Sequence, residues 1–167
     1  MGLFGEIFSK HYRTVVLEIK DYILSLDLSK ADQDLIRVMG IESRHYTFQR
    51  SCLRLGVTEH VFEIVHGKLN TEVITAAYGF FSRIMTEYID NLSAINAIDA
   101  YSELSNASNI YFPLDSTQKV ASIFIGKLTE NRMNPNDFNT LPQLVDMIDE
   151  NLKGTIALVK DELMKLR

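Results

Sequence analysis

Apolar residues recur at three- and four-residue steps along most of the chain, without the two-residue alternation that a half-buried strand requires. This spacing places the apolar side chains on one face of a helix. The pattern predicts an all-α fold, a multi-helix bundle of about six to eight helices. The first stripe predicts a helix from about Leu3 to Leu26, and its members are Phe4, Phe8, His11, Val15, Ile19, Tyr22 and Leu26.

Capping residues and glycines indicate where the helices of the first half begin and end. Ser29 is expected to cap a second helix, which Gly40 ends or bends. A third helix is expected from about Ser43 to Leu55, with Gly56 as its stop. A short helix then begins after Thr58 and closes at Gly67, about ten residues further on.

The second half is expected to contain the longest helices. Glu72 to Leu92, capped by Thr71, forms the expected central helix, and Ser93 to Leu104 a shorter one. Ser105 to Pro113 is rich in Asn and Ser and predicts a loop. Ser116 is expected to cap a helix that runs to Leu128.

The last helix is expected to start at Thr140, with Pro142 just inside it, after a linker at 131–139. Gly154 interrupts this helix and suggests a kink. Its apolar stripe is interpreted either as a dimer interface, together with the helix from Glu72 to Leu92, or as intramolecular core. The stripe contains Leu144, Val145, Ile148, Leu152, Ile156, Val159 and Leu163. These elements predict two regions: an N-terminal helical region at 1–67, and a helical bundle at 68–167 for dimerisation or sensing. The alternative is that both form one continuous domain.

Composition narrows the class of protein. The chain has 17 Lys and Arg against 22 Asp and Glu, a net charge of −5, with 46% hydrophobic and 23% charged residues. These values are typical of globular chains and argue against disordered or disulfide-rich classes. Cys52 has no second cysteine to pair with, which favours a reducing, cytoplasmic location. No uninterrupted apolar run suggests a signal peptide or membrane contact.

The segment from Thr47 to Lys68, TFQRSCLRLGVTEHVFEIVHGK, contains the most specific pattern. A small residue, an apolar residue, Gly with Val, and a Thr follow one another in the order Cys52, Leu55, Gly56 with Val57, and Thr58. This order resembles the helix-turn-helix of DNA-binding regulators, over this segment only and without indicating a particular family. The other interpretation is an ordinary helix end and cap between two packed helices.

The resemblance implies a regulatory DNA-binding protein, for which a homodimer or a protein partner is expected. Its second helix would present Thr58, Glu59, His60 and Glu63 to base edges. Phosphates would be neutralised by four basic side chains on or near these helices, namely Arg44, Arg50, Arg54 and Lys68.

Two other functions remain open. A helical adaptor or chaperone-like module would bind a protein through an exposed helix face. A metal site could use Glu42 with His45 and Glu63 with His66, joined by Glu18 and Glu87, although chance explains this spacing better. No complete catalytic or phosphate-binding motif is found, so we expect no enzyme, no cofactor and no bound metal.

Overall fold

The computed structural model describes residues 3–95, 97–111, 116–129 and 141–167. Within these ranges the chain forms eight helices and no strand, which confirms the all-α prediction. In chain order they are α1 (Leu3–Leu24), α2 (Lys30–Met39), α3 (Ser43–His66), α4 (Thr71–Ala94), α5 (Ile98–Ser105), α6 (Ala107–Tyr111), α7 (Thr117–Leu128) and α8 (Leu141–Met164).

The predicted boundaries of α2 are confirmed in detail. The Ser29 hydroxyl accepts from the Asp32 backbone N–H, and the Ser29 N–H donates to the Asp32 carboxylate at 2.8 Å. This reciprocal pair is a capping box, which satisfies two backbone donors that the helix itself leaves unpaired. Gly40 ends the helix with φ at 63°, the left-handed conformation that glycine adopts without steric cost.

Helix α3 is one continuous helix of 24 residues, and this corrects the prediction made at Gly56. Gly56 is buried inside the helix, so it is not a stop, and Thr58 does not begin a second helix. A Cβ built at Gly56 would lie 2.8 Å from the Ala107 carbonyl oxygen and 2.9 Å from the Tyr111 Cβ. Glycine is therefore needed here because α6 packs directly on the α3 backbone, and the two-helix arrangement of a helix-turn-helix is not formed.

The predicted loop from Ser105 to Pro113 is wrong over five residues, because Ala107–Tyr111 forms α6. Ala107 and Tyr111 are buried against α3, so tertiary packing overrides the polar composition of this segment. The predicted cap at Ser116 is confirmed, since its hydroxyl accepts from the Lys119 N–H. The linker at 131–139 and the cap at Thr140 lie outside the described residues.

One hydrophobic core joins helices from both predicted regions, because α1, α3, α4, α6, α7 and α8 all contribute buried residues. The stripe of α8 lies inside this core, with Ile148 and Leu152 about 2% exposed or less. Most of the stripe is thus intramolecular core, with Val145 and Ile156 half-buried, and dimerisation of the chain stays a prediction. Within the described ranges, no helix is both long enough and apolar enough to cross a bilayer.

Candidate functional site

The predicted site residues on α3 do not share one surface. In a continuous helix, residues four apart lie on one face. Arg50 therefore lies on the same face as Arg54, and Glu59 lies on the same face as Glu63. These two pairs line different clefts, one beside the first half of the helix and one beside its second half. The predicted set is therefore divided into a basic and an acidic part.

Arg50 is the most buried of the predicted phosphate ligands, at 4% exposure. Its Nη1 lies 2.8 Å from the Asp32 carboxylate and 2.9 Å from the Asp27 carbonyl oxygen. Its Nη2 donates to the Ser25 carbonyl at 2.7 Å. The guanidinium thus fastens the chain between α1 and α2 onto α3, and the expectation that Arg50 is exposed to phosphate is wrong.

Asp32 is the buried anion of this cluster. Tyr46 donates its hydroxyl hydrogen to the carboxylate, and Ser29 and Arg50 also donate to it. Burial alone would raise the pKa of Asp32, but these hydrogen bonds and the Arg50 charge outweigh it and lower the pKa. Asp32 therefore remains ionised and holds Tyr46 and Arg50 in place.

Arg54 lies one turn further along the same face and is half-buried. Its Nη1 donates to the Tyr22 carbonyl at 2.7 Å, and its guanidinium carbon lies 4.0 Å from the centroid of the Tyr22 ring. The Tyr22 hydroxyl hydrogen-bonds the Thr155 hydroxyl at 2.9 Å. Burial lowers the pKa of Arg54, and no carboxylate of the described chain lies within 4 Å of it.

Arg50 and Arg54 line a cleft of about 480 Å³ between the α1–α2 connection, α3 and α8, which we call the arginine cleft. Its deeper wall is apolar and includes Leu35, Phe124 and Ile148. The cleft therefore combines a buried ion pair, a second guanidinium and a hydrophobic surface.

The other predicted residues take different positions. Arg44 and Lys68 are exposed, but they lie near opposite ends of α3, roughly 35 Å apart along its axis. Thr58 is fully buried, which contradicts its expected contact with a base, and His60 is half-buried. The described structure does not assemble these four residues into one exposed patch.

Glu59 and Glu63 line a second cleft of about 520 Å³ between α3, α4 and α6. A further hollow shares Glu59 and Ser108 with it and continues between α4 and α5. Together we call the two hollows the acidic groove. Along its length α4 contributes one helix face, namely Ile74, Thr75, Tyr78, Ser82, Met85, Thr86, Ile89 and Asp90.

One carboxylate of the acidic groove, that of Glu59, is held in place by a hydrogen bond. Ser108 on α6 donates its hydroxyl hydrogen to Glu59, which fixes that side chain at the centre of the groove. Glu63 is exposed one turn further on. Tyr78 faces both carboxylates; burial and then the charges of Glu59 and Glu63 raise its pKa.

The Asp, Glu, Lys and Arg residues that line the acidic groove are all negatively charged. Glu59, Glu63 and Asp90 line it, and neither hollow has a Lys or Arg in its wall. None of the three carboxylates forms an ion pair within the part of the chain that the structure describes. The groove therefore presents negative charge that forms no ion pair with any described residue.

The structure does not assemble the two Glu-His pairs into one centre. His45 and His66 lie near opposite ends of α3, roughly 30 Å apart along its axis. The His45 Nε2 hydrogen-bonds the Lys127 carbonyl oxygen at 3.2 Å, and His66 lines the acidic groove. Among the described residues, no group of three or more His, Cys, Asp or Glu side chains could hold a metal ion.

Cys52 is a buried free thiol on α3. Its side chain is 2% exposed. Burial raises the pKa of the thiol to about 12, with a smaller contribution from the charge of Glu103. A thiol in this environment stays protonated and is a poor nucleophile.

Several residues of both clefts were not found from the sequence. Asp32 had an available signal, because it stands three residues after the Ser29 cap. Tyr46 and Ser108 had none, since their roles depend on helices that only the fold brings together.

Comparison with known proteins adds no relative to this description. No protein-family model matches the sequence, and neither the curated proteins nor the solved structures give a match. What the protein does is therefore argued from the charges and shapes of its two clefts.

Proposed function

We propose that the protein is a non-enzymatic interaction module that binds a basic segment of a partner protein in the acidic groove. The observation that carries this proposal is the uniform sign of the lining charges, with Glu59, Glu63 and Asp90 present and Lys and Arg absent from the described wall. A cation from another molecule would supply the ion-pair partner that these carboxylates lack among the described residues.

The central part of the groove suits a basic side chain. Glu59 is fixed by Ser108, so less side-chain entropy is lost when a ligand binds to it. Tyr78 is 43% exposed and offers an aromatic face beside the carboxylates. A guanidinium or ammonium group can contact such a face and a carboxylate together.

The length of the groove suits a peptide better than a single ion. Its wall follows α4 from Ile74 to Asp90, roughly 24 Å at the rise of an α-helix. An extended segment of about seven residues spans this distance. Ile89 is half-buried and supplies apolar surface near the Asp90 end of the groove, as in grooves that bind amphipathic segments.

The same charges act against nucleic acid at this position. Phosphates would be repelled by Glu59 and Glu63, whereas DNA affinity depends on Lys and Arg that neutralise them. DNA binding stays a separate prediction, and Arg50, on which it relied, is buried. The acidic groove therefore supports the adaptor function that the sequence left open.

Fluorescence anisotropy tests the proposal with a labelled peptide in which Arg alternates with Leu. A second peptide has Glu in place of Arg, and a labelled DNA duplex serves as the third probe. The variant combines Glu59→Gln with Glu63→Gln. Its matched control combines Glu72→Gln with Glu87→Gln, two exposed residues that do not line the groove but lose the same charge.

The parent and the control are expected to bind the Arg peptide with similar affinity, and the groove variant roughly tenfold more weakly. Added salt should weaken binding because the contacts are between charges. Equal binding by the two double variants would contradict the proposal, as would equal binding of the Arg and Glu peptides. Binding of the duplex in preference to the Arg peptide would favour the DNA function instead.

A further inference from the structure

Two adjoining hollows lie between the first half of α3 and α5. The first has a volume of about 440 Å³, and we call it the apolar hollow because hydrophobic side chains form most of its wall. Five of these side chains are at least partly exposed, namely Leu24, Leu26, Leu28, Phe48 and Tyr88. Arg44 is the only charged residue in its described wall. The apolar hollow is therefore within the size range of small-molecule sites and has hydrophobic surface that a ligand can reach.

The second hollow has a volume of about 570 Å³, and we call it the polar hollow because it carries charges of both signs. Arg44 and Phe48 line it as well, so the two hollows meet at these side chains. Asp99 and Glu103 line it from α5. Arg44 thus lies at the boundary between the hydrophobic lining and the two carboxylates.

The charges of the polar hollow are not paired with each other. Among the described residues, Arg44, Asp99 and Glu103 form no ion pair within 4 Å. Glu103 accepts a hydrogen bond from the Gln49 amide at 2.6 Å. The Nε2 of His45, the other basic side chain here, is hydrogen-bonded to a backbone carbonyl oxygen of α7 at 3.2 Å. A ligand with charges of both signs would give Arg44 an anion and the two carboxylates a cation.

We infer that the two hollows bind a single-chain amphiphile whose head group is a phosphate diester followed by a quaternary ammonium. The hydrocarbon chain lies in the apolar hollow, the phosphate beside Arg44, and the ammonium beside Asp99 and Glu103. Phe48 adds an aromatic ring, to which quaternary ammonium groups bind well.

The order of the lining residues selects this class of ligand. From the hydrophobic wall, a ligand meets Arg44 first and the carboxylates of α5 beyond it. Its anion must therefore be joined to the chain on one side and to the cation on the other, which a phosphate diester allows and a terminal carboxylate does not. Arg44, Asp99 and Glu103 line neither hollow of the acidic groove, so this inference does not depend on the function proposed there.

Isothermal calorimetry with octylphosphocholine tests the inference, at concentrations below micelle formation so that single molecules bind. Octyl sulfate has the same chain with only an anion, octyltrimethylammonium has the same chain with only a cation, and phosphocholine is the head group without the chain. Octylphosphocholine is expected to bind most tightly, because it alone has partners for both hollows and for both signs of charge. Equal or tighter binding of any of the other three would overturn the inference.

Variants at exposed charged residues test the place of the head group. Arg44→Gln removes the cation, and Arg37→Gln is its matched control because Arg37 is 78% exposed on α2 and lines neither hollow. Asp99→Asn removes one carboxylate, and its control is Asp21→Asn on α1. Arg44→Gln and Asp99→Asn should each weaken octylphosphocholine binding about fivefold. Equal binding by a variant and its control would contradict the inference, since all four residues are exposed and the fold does not depend on their charge.

A leucine pair tests the place of the chain. Leu26 lines the apolar hollow and is 79% exposed, whereas Leu17 is 43% exposed and lies outside both hollows. Leu26→Gln should weaken octylphosphocholine binding about threefold and leave phosphocholine binding unchanged, because it removes hydrophobic contact only. Leu17→Gln should change neither. Equal binding of octylphosphocholine by the two leucine variants would overturn the assignment of the chain to the apolar hollow.

Discussion

Arg50 and Glu63 lie on the same helix, α3, but they carry opposite charges and differ in burial. Near the N-terminal end, Arg50 is buried, paired with Asp32 and bonded to two backbone carbonyl groups. In the C-terminal half, Glu63 is exposed and has no described ion-pair partner. Arg50 therefore stabilises the fold, whereas Glu63 on the same helix presents its charge to solvent.

This difference shows how a charged residue on a helix can be assigned a role. A buried charge must be paired and hydrogen-bonded, and its loss destabilises the fold. An exposed charge contributes little to stability, so an exposed set of one sign is available for recognition. Arg54 lies between these cases, because it is half-buried and lacks an anionic partner among the described residues.

The largest effect is expected from Asp32→Ala, which leaves Arg50 buried without its anion. Breaking a buried pair from one side costs about 3–5 kcal/mol of the free energy of unfolding. The matched control is Asp34→Ala on the same helix, whose pair with Arg37 is exposed and is worth about 0–1 kcal/mol. Urea unfolding measures both. Similar losses in the two variants would contradict the distinction between buried and exposed charge.

Protonation of Asp32 at low pH should also lower the free energy of unfolding. The loss should not exceed that caused by Asp32→Ala. The pKa of Asp32 is lower in the folded protein, so its contribution to stability is complete above the unfolded pKa of about 3.9. That contribution is lost as the pH falls through the folded pKa. The stability difference between the parent and Asp32→Asn should therefore narrow below about pH 4. A difference that stays constant from pH 7 to pH 3 would show that the carboxylate charge is not responsible.

An intermediate effect is expected at Gly56, which lies between the two ends of α3. Gly56→Ala places a Cβ against Ala107 on α6 and should cost about 1–3 kcal/mol. The control Gly154→Ala lies in a helix with open space around it and should stabilise by about 0.5–1 kcal/mol. Because α6 also carries Ser108, Gly56→Ala should weaken binding of the Arg peptide. Stabilisation by both changes would contradict the close packing of α6 on α3.

The smallest effect on stability is expected from Glu63→Gln, within about 0.5 kcal/mol of the parent. Glu63 is exposed and has no described ion-pair partner, so the neutral side chain costs the fold little. Thermal unfolding gives the comparison with Asp32→Asn, which changes charge by the same amount. A loss as large as that of Asp32→Asn would mean that Glu63 also has a structural role.

Local sequence signals determined much of the helical structure. The apolar period of three to four residues predicted an all-α fold, and Ser29, Gly40 and Ser116 correctly marked helix ends. These signals work because capping and the left-handed conformation involve residues close in sequence. Asp32 belongs to the same local pattern, so one member of the arginine cleft could be predicted from the chain alone.

Only the tertiary structure decided what Gly56 and the charged residues of α3 do. Glycine in a turn and glycine under a crossing helix have the same local sequence, and the contact with Ala107 and Tyr111 distinguishes them. Arg50 likewise needs Asp32, brought to it from another helix, before its burial is favourable. The sequence by itself determined the all-α class, several helix ends and the sign of each charge. Burial and pairing depend on residues distant in sequence, so the fold alone decided which charges stabilise the protein and which remain exposed.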